Sequence, residues 1–432
     1  MGKRISKKYM IVFYSFLLLI VGLIFVYRIY QPLNAQEKGI TDKWGIYINI
    51  SDSKEYIDEQ LNAAHQVGFK YVRIPVDQLP FGSEYKRKTS LVQYAIDKSL
   101  SNKMTPIVNF TGGTPGNYSG KQYTQTIEYL TTDITHFVKN NSNKGIVWEA
   151  WNEPNGAFWT NNGVRSPVSQ KVINEWLSFD NAMAEIIKKY DKHAVFVSGD
   201  LEGNPKNSKS LITQIKNSSA YRGSSIVSFH PYLNKNNNNG RPESLLSLFP
   251  KYTVKNPYLV TEFGYSIPNK SRVYEQRLGV WSYQQQAAYL SRAVLILDEK
   301  GMPFFTLFNT SNRITNYGIE NSGRLNLAGK ELRALGRELH GYHFVRTVHT
   351  SNTQVRALEY SKKFAPNKIV YWSSNDRTIR THISGLANVS AGMTPQIQIV
   401  KSFYYSVLCV IVLLVGVSIL LVKQLVRWKK SH

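Results

Sequence analysis

Gly145-Ile146-Val147-Trp148-Glu149-Ala150-Trp151-Asn152-Glu153-Pro154-Asn155 decides the fold. Its first six residues form an apolar, β-prone run that reads as a buried strand. Pro154 lacks a backbone N–H and pushes the residue before it out of the helical region. The strand should therefore stop near Glu153, leaving Asn152 and Glu153 at its C-terminal end. Packing does not call for a carboxylate there, because an unpaired buried charge costs several kcal/mol. An acid beside an amide suits a site that holds a sugar and protonates it.

A second stretch answers the first. Asn256-Pro257-Tyr258-Leu259-Val260-Thr261-Glu262-Phe263-Gly264 is another short apolar strand ending in an acid and a glycine. The two acids lie 109 residues apart, so no local helix or hairpin pairs them. They meet only if both strands belong to one sheet that gathers its C-terminal ends. A (β/α)₈ barrel does this, drawing its functional groups from the ends of several strands.

These paired motifs, Asn152-Glu153-Pro154 and Thr261-Glu262-Phe263-Gly264, resemble clan A of the retaining glycoside hydrolases. They are most similar to the exopolysaccharide-degrading members near family 39, over roughly residues 40–345. The resemblance implies that Glu153 is the acid/base at the end of strand four and Glu262 the nucleophile at the end of strand seven. It implies that Asn152 binds the sugar 2-hydroxyl. It also implies that Arg73, on strand two, supports the nucleophile, and that His230 and Tyr232, on strand six, orient it. In this clan strand eight usually supplies a tryptophan floor; here Phe308 and Asn309 occupy the place. No metal or organic cofactor is expected.

The remaining elements fit the same frame. Trp44–Ile48, Lys70–Pro75, Thr105–Phe110, Ala194–Asp200, Ile226–Tyr232 and Met302–Asn309 read as the other six strands. Between them run helical patterns over Glu55–Val67, Leu91–Leu100, Gln122–Lys139, Ser169–Tyr190, Gln284–Glu299 and Leu327–His340. Asp200 ends strand five as a substrate ligand or a helix cap. Phe158 and Trp159, on the loop after strand four, are expected to form a sugar platform. Trp281 is a candidate stacking ring on the long loop after strand seven. The glycine-rich loop Thr111–Tyr118 lacks the phosphate-binding pattern and reads as a subsite wall.

Composition bounds the rest. At 432 residues the chain holds a barrel of about 250 residues and a smaller companion. From Tyr342 short alternating strands over Val355–Tyr360, Lys368–Ser373 and Thr378–Ile383 predict a small β-sandwich, assigned to residues 343–401, after a barrel over residues 43–342. The single cysteine, Cys409, rules out an internal disulfide. The nine histidines show no metal-ligand spacing.

Residues 9–28 and 402–423 are apolar runs long enough to cross about 30 Å of hydrocarbon as helices. Basic tails flank them, at residues 1–8 and 424–432, and residues 29–42 form a polar linker. Positive flanks face the cytoplasm, so both termini are expected inside and the barrel outside; a cleaved leader is the alternative for the first run. The formal charge is +24, and nine basic residues beside these runs leave +15 on the rest. That excess favours an acidic polysaccharide, wall polymer or lipid surface, while no nucleic-acid-binding motif is present.

The function expected is endo-acting cleavage of a secreted polysaccharide at the membrane's outer face, with the synthesis and export machinery as a candidate partner. Two alternatives stay open: a non-catalytic glycan-binding or assembly protein on a barrel scaffold, and a transglycosylase using the same two acids.

Overall fold

The computed structural model describes residues 38–400 apart from residues 51–52, 78–82, 113, 157, 161–168, 219–225, 234–239, 268–281 and 364, together with Gly416, Leu420 and Lys423. The two expected membrane runs, those three residues aside, lie outside the described residues, as does Trp281. Among the described residues no helix is long and apolar enough to cross a membrane.

Eight parallel strands form one sheet: β1 (Trp44–Tyr47), β2 (Tyr71–Asp77), β3 (Thr105–Thr111), β4 (Val147–Glu149), β5 (Val195–Glu202), β6 (Ile226–His230), β7 (Tyr258–Val260) and β8 (Phe305–Leu307). From β1 to β7 each pairs with its neighbour in chain order, and β1 also pairs with β8, Gly45 opposite Thr306. Between β7 and β8 the ring is tied at the C-terminal end, where the Phe308 N–H donates to the Phe263 carbonyl at 2.8 Å. Gly264 permits that approach, since a Cβ there would run into the Phe308 carbonyl oxygen.

The helices are α1 (Lys54–Val67), α2 (Ser83–Ser101), α3 (Gly120–Asn141), α4 (Gln170–Tyr190), α5 (Lys209–Asn217), α6 (Ser244–Leu248), α7 (Tyr283–Glu299) and α8 (Leu327–Glu338). Helix α1 shows why such a segment starts and stops. The Ser53 hydroxyl accepts from the Tyr56 N–H at 3.2 Å, and Gly68 ends the helix in the left-handed region at φ 90°. Its buried residues Ile57, Leu61, Ala64 and Val67 recur at helical spacing and face the strands.

In α4 the buried stripe of Ile173, Trp176, Phe179, Met183 and Ile187 includes one acid, Asp180. Each large apolar side chain buried there is worth about 1.5–3 kcal/mol. Asp180 works the other way. It accepts from the Ser198 hydroxyl at 2.6 Å, while its second oxygen has no hydrogen-bond partner. Burial pushes its carboxyl up to about 7.

From Tyr342 a second compact unit begins. Strands β11 (His343–Thr347), β12 (Val355–Ser361), β13 (Lys368–Ser373) and β16 (Gln396–Ile399) make an antiparallel sheet, and β14 (Ile379–His382) pairs with β15 (Asn388–Ala391) as a hairpin. Two-residue hairpin arms, β9 (Glu320–Asn321) and β10 (Arg324–Leu325), belong to the barrel unit. Alternate residues Val355 and Ala357, Ile369 and Tyr371 share one core with Ile383, Val389 and Ala391 of the hairpin region. The expected sandwich is thus a four-stranded sheet and a two-stranded hairpin around one small core. Strands β11, β15 and β16 were not anticipated; β15 and β16 are four residues each, although both alternate polar and apolar residues.

Asp180 carries a stability prediction. A carboxyl whose folded pKa lies above its unfolded value holds its proton longer in the folded state. Its contribution is complete below about pH 4 and is lost as pH rises through about 7. At about 1.4 kcal/mol per unit, the loss reaches at most roughly 4 kcal/mol. Asp180→Asn should therefore melt increasingly above the wild type as pH rises from 4 to 8, and match it at pH 4. Melting curves that stay parallel across that range would contradict this.

Candidate active site

Glu153 and Glu262 come together as their spacing across the sheet requires. Glu153, His230 and Glu262 each present one donor atom, and these atoms lie within 4.8 Å of one another. The two acids therefore face each other across the C-terminal mouth of the ring, although β4 ends at Glu149 and leaves Glu153 on the turn beyond it. That turn is unusual. Glu153 has φ 42°, a left-handed conformation that costs a non-glycine residue on the order of 1 kcal/mol or more. Two main-chain bonds hold it there: its N–H donates to the Asp200 carbonyl at 2.8 Å, and its carbonyl accepts from the Gly156 N–H at 2.9 Å.

Arg73 occupies the centre. It has no exposed surface, and its guanidinium spreads over four acceptors. Its Nε donates to Glu149 at 2.6 Å and one terminal nitrogen to Glu262 at 2.7 Å. The other terminal nitrogen donates to Asn152 and to Asp200, both at 3.1 Å. The ring of Tyr47 lies 5.8 Å from its centre. Three acids outweigh burial and hold Arg73 well above its ordinary range, so it stays charged. Burial pushes Glu149 upward, with Asp200 adding to the rise, against the pull of Arg73.

The two facing acids have different surroundings. Glu262 has Arg73 on one oxygen and the Tyr232 hydroxyl on the other at 2.5 Å. Among the described residues the Glu153 carboxyl has His230 alone as a hydrogen-bond partner, whose Nδ1 lies 2.9 Å from its Oε1. Burial raises the Glu153 carboxyl to about 7; Arg73 pulls it down and Asp200 pushes it up. Burial lowers His230, so the imidazole is neutral near pH 7. His230 thus pairs with Glu153 rather than with Glu262, and Tyr232 alone of the strand-six pair contacts Glu262.

Other expected residues divide. Asn152 is buried, with its carbonyl oxygen on Arg73. Phe308 packs at 5.0 Å from Tyr47 and 5.4 Å from Tyr317 beside Tyr232, forming an aromatic wall near Glu262. Asn309 has no exposed surface and is not presented to the mouth. Trp159 is likewise fully buried, packed 5.3 Å from Trp151 and 5.7 Å from Phe179, so it anchors the loop and forms no platform. Its neighbour Phe158 is the exposed ring, at 45%. Asp200 is neither an exposed ligand nor a cap, being 1% exposed inside β5.

Glu149, Asn109 and Glu202 were not anticipated. A lone acid in the apolar run Val147-Trp148-Glu149-Ala150 was the available signal for Glu149. Asn109 donates to Asp200 at 2.7 Å from β3. Glu202, at the end of β5, is raised by burial and by the charge of Glu153.

The trio of Glu153, His230 and Glu262 has a spacing that a metal ion can bridge. However, the Arg73 guanidinium already sits 2.7 Å from Glu262 and repels a cation there, so the donor set fits a neutral sugar better.

The sequence model of the cellulase family, glycosyl hydrolase family 5, matches residues 34–303. No curated protein matches the chain. Among solved structures an endo-β1,6-glucanase is similar at 13% identity and TM-score 0.54, over 84% of this chain and 91% of that one. A GH30 endoxylanase from Clostridium papyrosolvens C71 is similar at 14% identity and TM-score 0.52, over 85% and 95%. At such identities the two structures speak for the fold alone. The family match covers more than half of the chain, and on that ground the chain belongs to the cellulase family, glycosyl hydrolase family 5, and is a glycoside hydrolase.

Proposed function

We propose that the chain cleaves a secreted polysaccharide internally, with retention, by a double displacement in which Glu262 is the nucleophile and Glu153 the acid/base. One observation carries this reading: the facing oxygens of Glu153 and Glu262 lie within 4.8 Å. Retaining enzymes hold their carboxyl groups about 5–5.5 Å apart, whereas inverting ones leave about 6.5–9.5 Å for a water.

In the first step a Glu262 oxygen bonds to the anomeric carbon as the bond to the leaving oxygen breaks. That oxygen takes the proton of Glu153. In the second step the Glu153 carboxylate takes a proton from water, the water oxygen bonds to the anomeric carbon, and the ester to Glu262 breaks. Arg73 and Tyr232 aim Glu262 through one hydrogen bond to each of its oxygens. His230, neutral, can donate from Nδ1 to Oε1 of Glu153, leaving the other oxygen to carry the proton. The Asn152 amide nitrogen has no protein partner among the described residues and suits a sugar 2-hydroxyl. Phe308, with Tyr47 and Tyr317 behind it, offers a ring face to the sugar.

The substrate class rests on weaker supports. The motifs resemble those of exopolysaccharide-degrading enzymes near family 39, and the chain carries an excess of +24. The apolar runs at residues 9–28 and 402–423, each with basic residues on its outer side, suit a tether that holds the barrel outside the cell.

Glu153→Gln should lower kcat on a polysaccharide by about 10²–10⁴, and Glu262→Gln should abolish turnover; substantial activity in either variant removes the mechanism. Because Glu153 must begin protonated and its carboxyl sits at about 7, kcat/KM should fall as pH rises past that value. The first-formed sugar end, read by NMR, should keep the configuration of the cleaved bond; inversion would refute the double displacement. Protease added to intact cells should digest the 43–400 region, and full protection would overturn the topology.

A further inference from the structure

None of the roles above uses Asp200, yet it is the most heavily hydrogen-bonded carboxylate near the site. One oxygen accepts from Arg73 at 3.1 Å and from the Asn109 amide at 2.7 Å. The other accepts from the Thr261 hydroxyl at 3.0 Å and from the Ser228 hydroxyl. Its own N–H donates to Ser228 at 2.9 Å, and its carbonyl takes the Glu153 N–H at 2.8 Å. Donors thus reach it from β2, β3, the turn after β4, β6 and the end of β7. It sits at φ 45°, so its main chain, like that of Glu153, holds a left-handed conformation.

Resting on the acid assignments just made, we propose that Asp200 is the positioning residue that joins the two catalytic glutamates. Its side chain carries Arg73 to Glu262, and its main chain fixes the turn that presents Glu153.

The arrangement is specific. Asp200 shares the far terminal nitrogen of the guanidinium with Asn152, and it is the acceptor there that carries a carboxylate. Asn109, itself tied to the Trp151 carbonyl at 2.9 Å, locks the same oxygen from the other side. A buried carboxylate with four donors is satisfied, which is the condition for keeping such a charge at all. The charge also acts at a distance. Glu153 is faced by Arg73 from β2, Glu149 from β4, Asp200 and Glu202 from β5, His230 from β6 and Glu262 after β7. Of these, Arg73 lowers its carboxyl and Asp200 raises it, burial being the larger cause of its position at about 7.

Asp200→Asn separates positioning from folding. The amide oxygen can face Arg73 and Asn109, which only donate. The amide nitrogen then faces the Ser228 and Thr261 hydroxyls, which can turn to accept. Full-length variants in detergent micelles would be assayed on carboxymethyl-cellulose, and Glu153 would be titrated by carboxyl infrared difference spectra, with Glu153→Gln identifying its band. For Asp200→Asn we expect kcat to fall at least tenfold with KM within threefold. We also expect Glu153 to lose its proton at lower pH, moving the alkaline limb of kcat/KM the same way.

Thr261→Val removes one donor, keeps the charge and should lower kcat without moving the titration. A folded Asp200→Asn with the wild-type titration overturns the proposal. So does an unfolded Asp200→Asn accompanied by wild-type kcat in Thr261→Val combined with Ser228→Ala, which strips two donors from Asp200 and keeps its charge. Activity surviving in Glu153→Gln or Glu262→Gln would instead sink the acid assignments themselves.

Discussion

A guanidinium cut off from water must be matched by acceptors, and in this protein the match organises the mouth of the barrel. Arg73 is fully buried and bonded to Glu149, Asn152, Asp200 and Glu262. Removing one partner from such a set leaves a charge uncompensated, at a cost of about 3–5 kcal/mol. The side chain therefore holds its neighbours as firmly as they hold it. Those partners stand in three different regions of the ring, around β4, β5 and β7, with Arg73 itself on β2. Closure of the sheet and assembly of the acid pair are in this sense one event. The ring brings the acids together, and the arginine fixes how they face each other.

The same arginine makes two chemically identical residues behave differently. Glu262 receives a cation at 2.7 Å and a tyrosine hydroxyl at 2.5 Å, one on each oxygen. Glu153 receives an imidazole that burial keeps neutral, and little else. Desolvation then dominates at Glu153 and carries its carboxyl to about 7. Separating the proton affinities of two acids through their surroundings is the general way in which one becomes the donor and the other the attacking group. Here the two acids share a residue type and differ in surroundings: burial dominates at Glu153, while of the two Arg73 bonds Glu262.

How far the sequence carried this varies by residue. Glu153, Glu262 and Tyr232 were legible because each stands just past a strand beside a proline or an aromatic, whereas Arg73 lies inside β2 and was legible through the resemblance alone. Periodicity found all eight barrel strands, though β4 is shorter than its apolar run because Pro154 and the left-handed Glu153 end pairing early. Trp159 was misjudged because loop position suggests exposure, but a loop can turn a large ring inward onto Trp151 and Phe179, and Asn309, just past β8, is buried rather than presented. Asp200 and Glu149 could not be placed, because their partners lie on other strands and the pattern of a single segment does not name them. His230 was assigned to the wrong acid for the same reason. The clan was visible in the two motifs; the family that the matching model identifies is family 5, where the motifs alone pointed toward family 39.

The charge distribution adds a constraint on what can be cleaved, if the proposed reading holds. Over long range the basic chain attracts polyanions. Within the mouth the sign reverses, since Glu262, and Glu153 once it has given up its proton, face the place of bond breaking with Glu202 nearby, while Arg73 is already held by its own acceptors. An anionic sugar at that place would meet a like-charged wall and lose the hydration that made its charge tolerable. A polymer able to satisfy both fields carries its negative groups at intervals and presents a neutral residue where it is cut. The exterior then gathers the chain and the interior selects the position along it, so the two halves of the electrostatics govern association and cleavage separately.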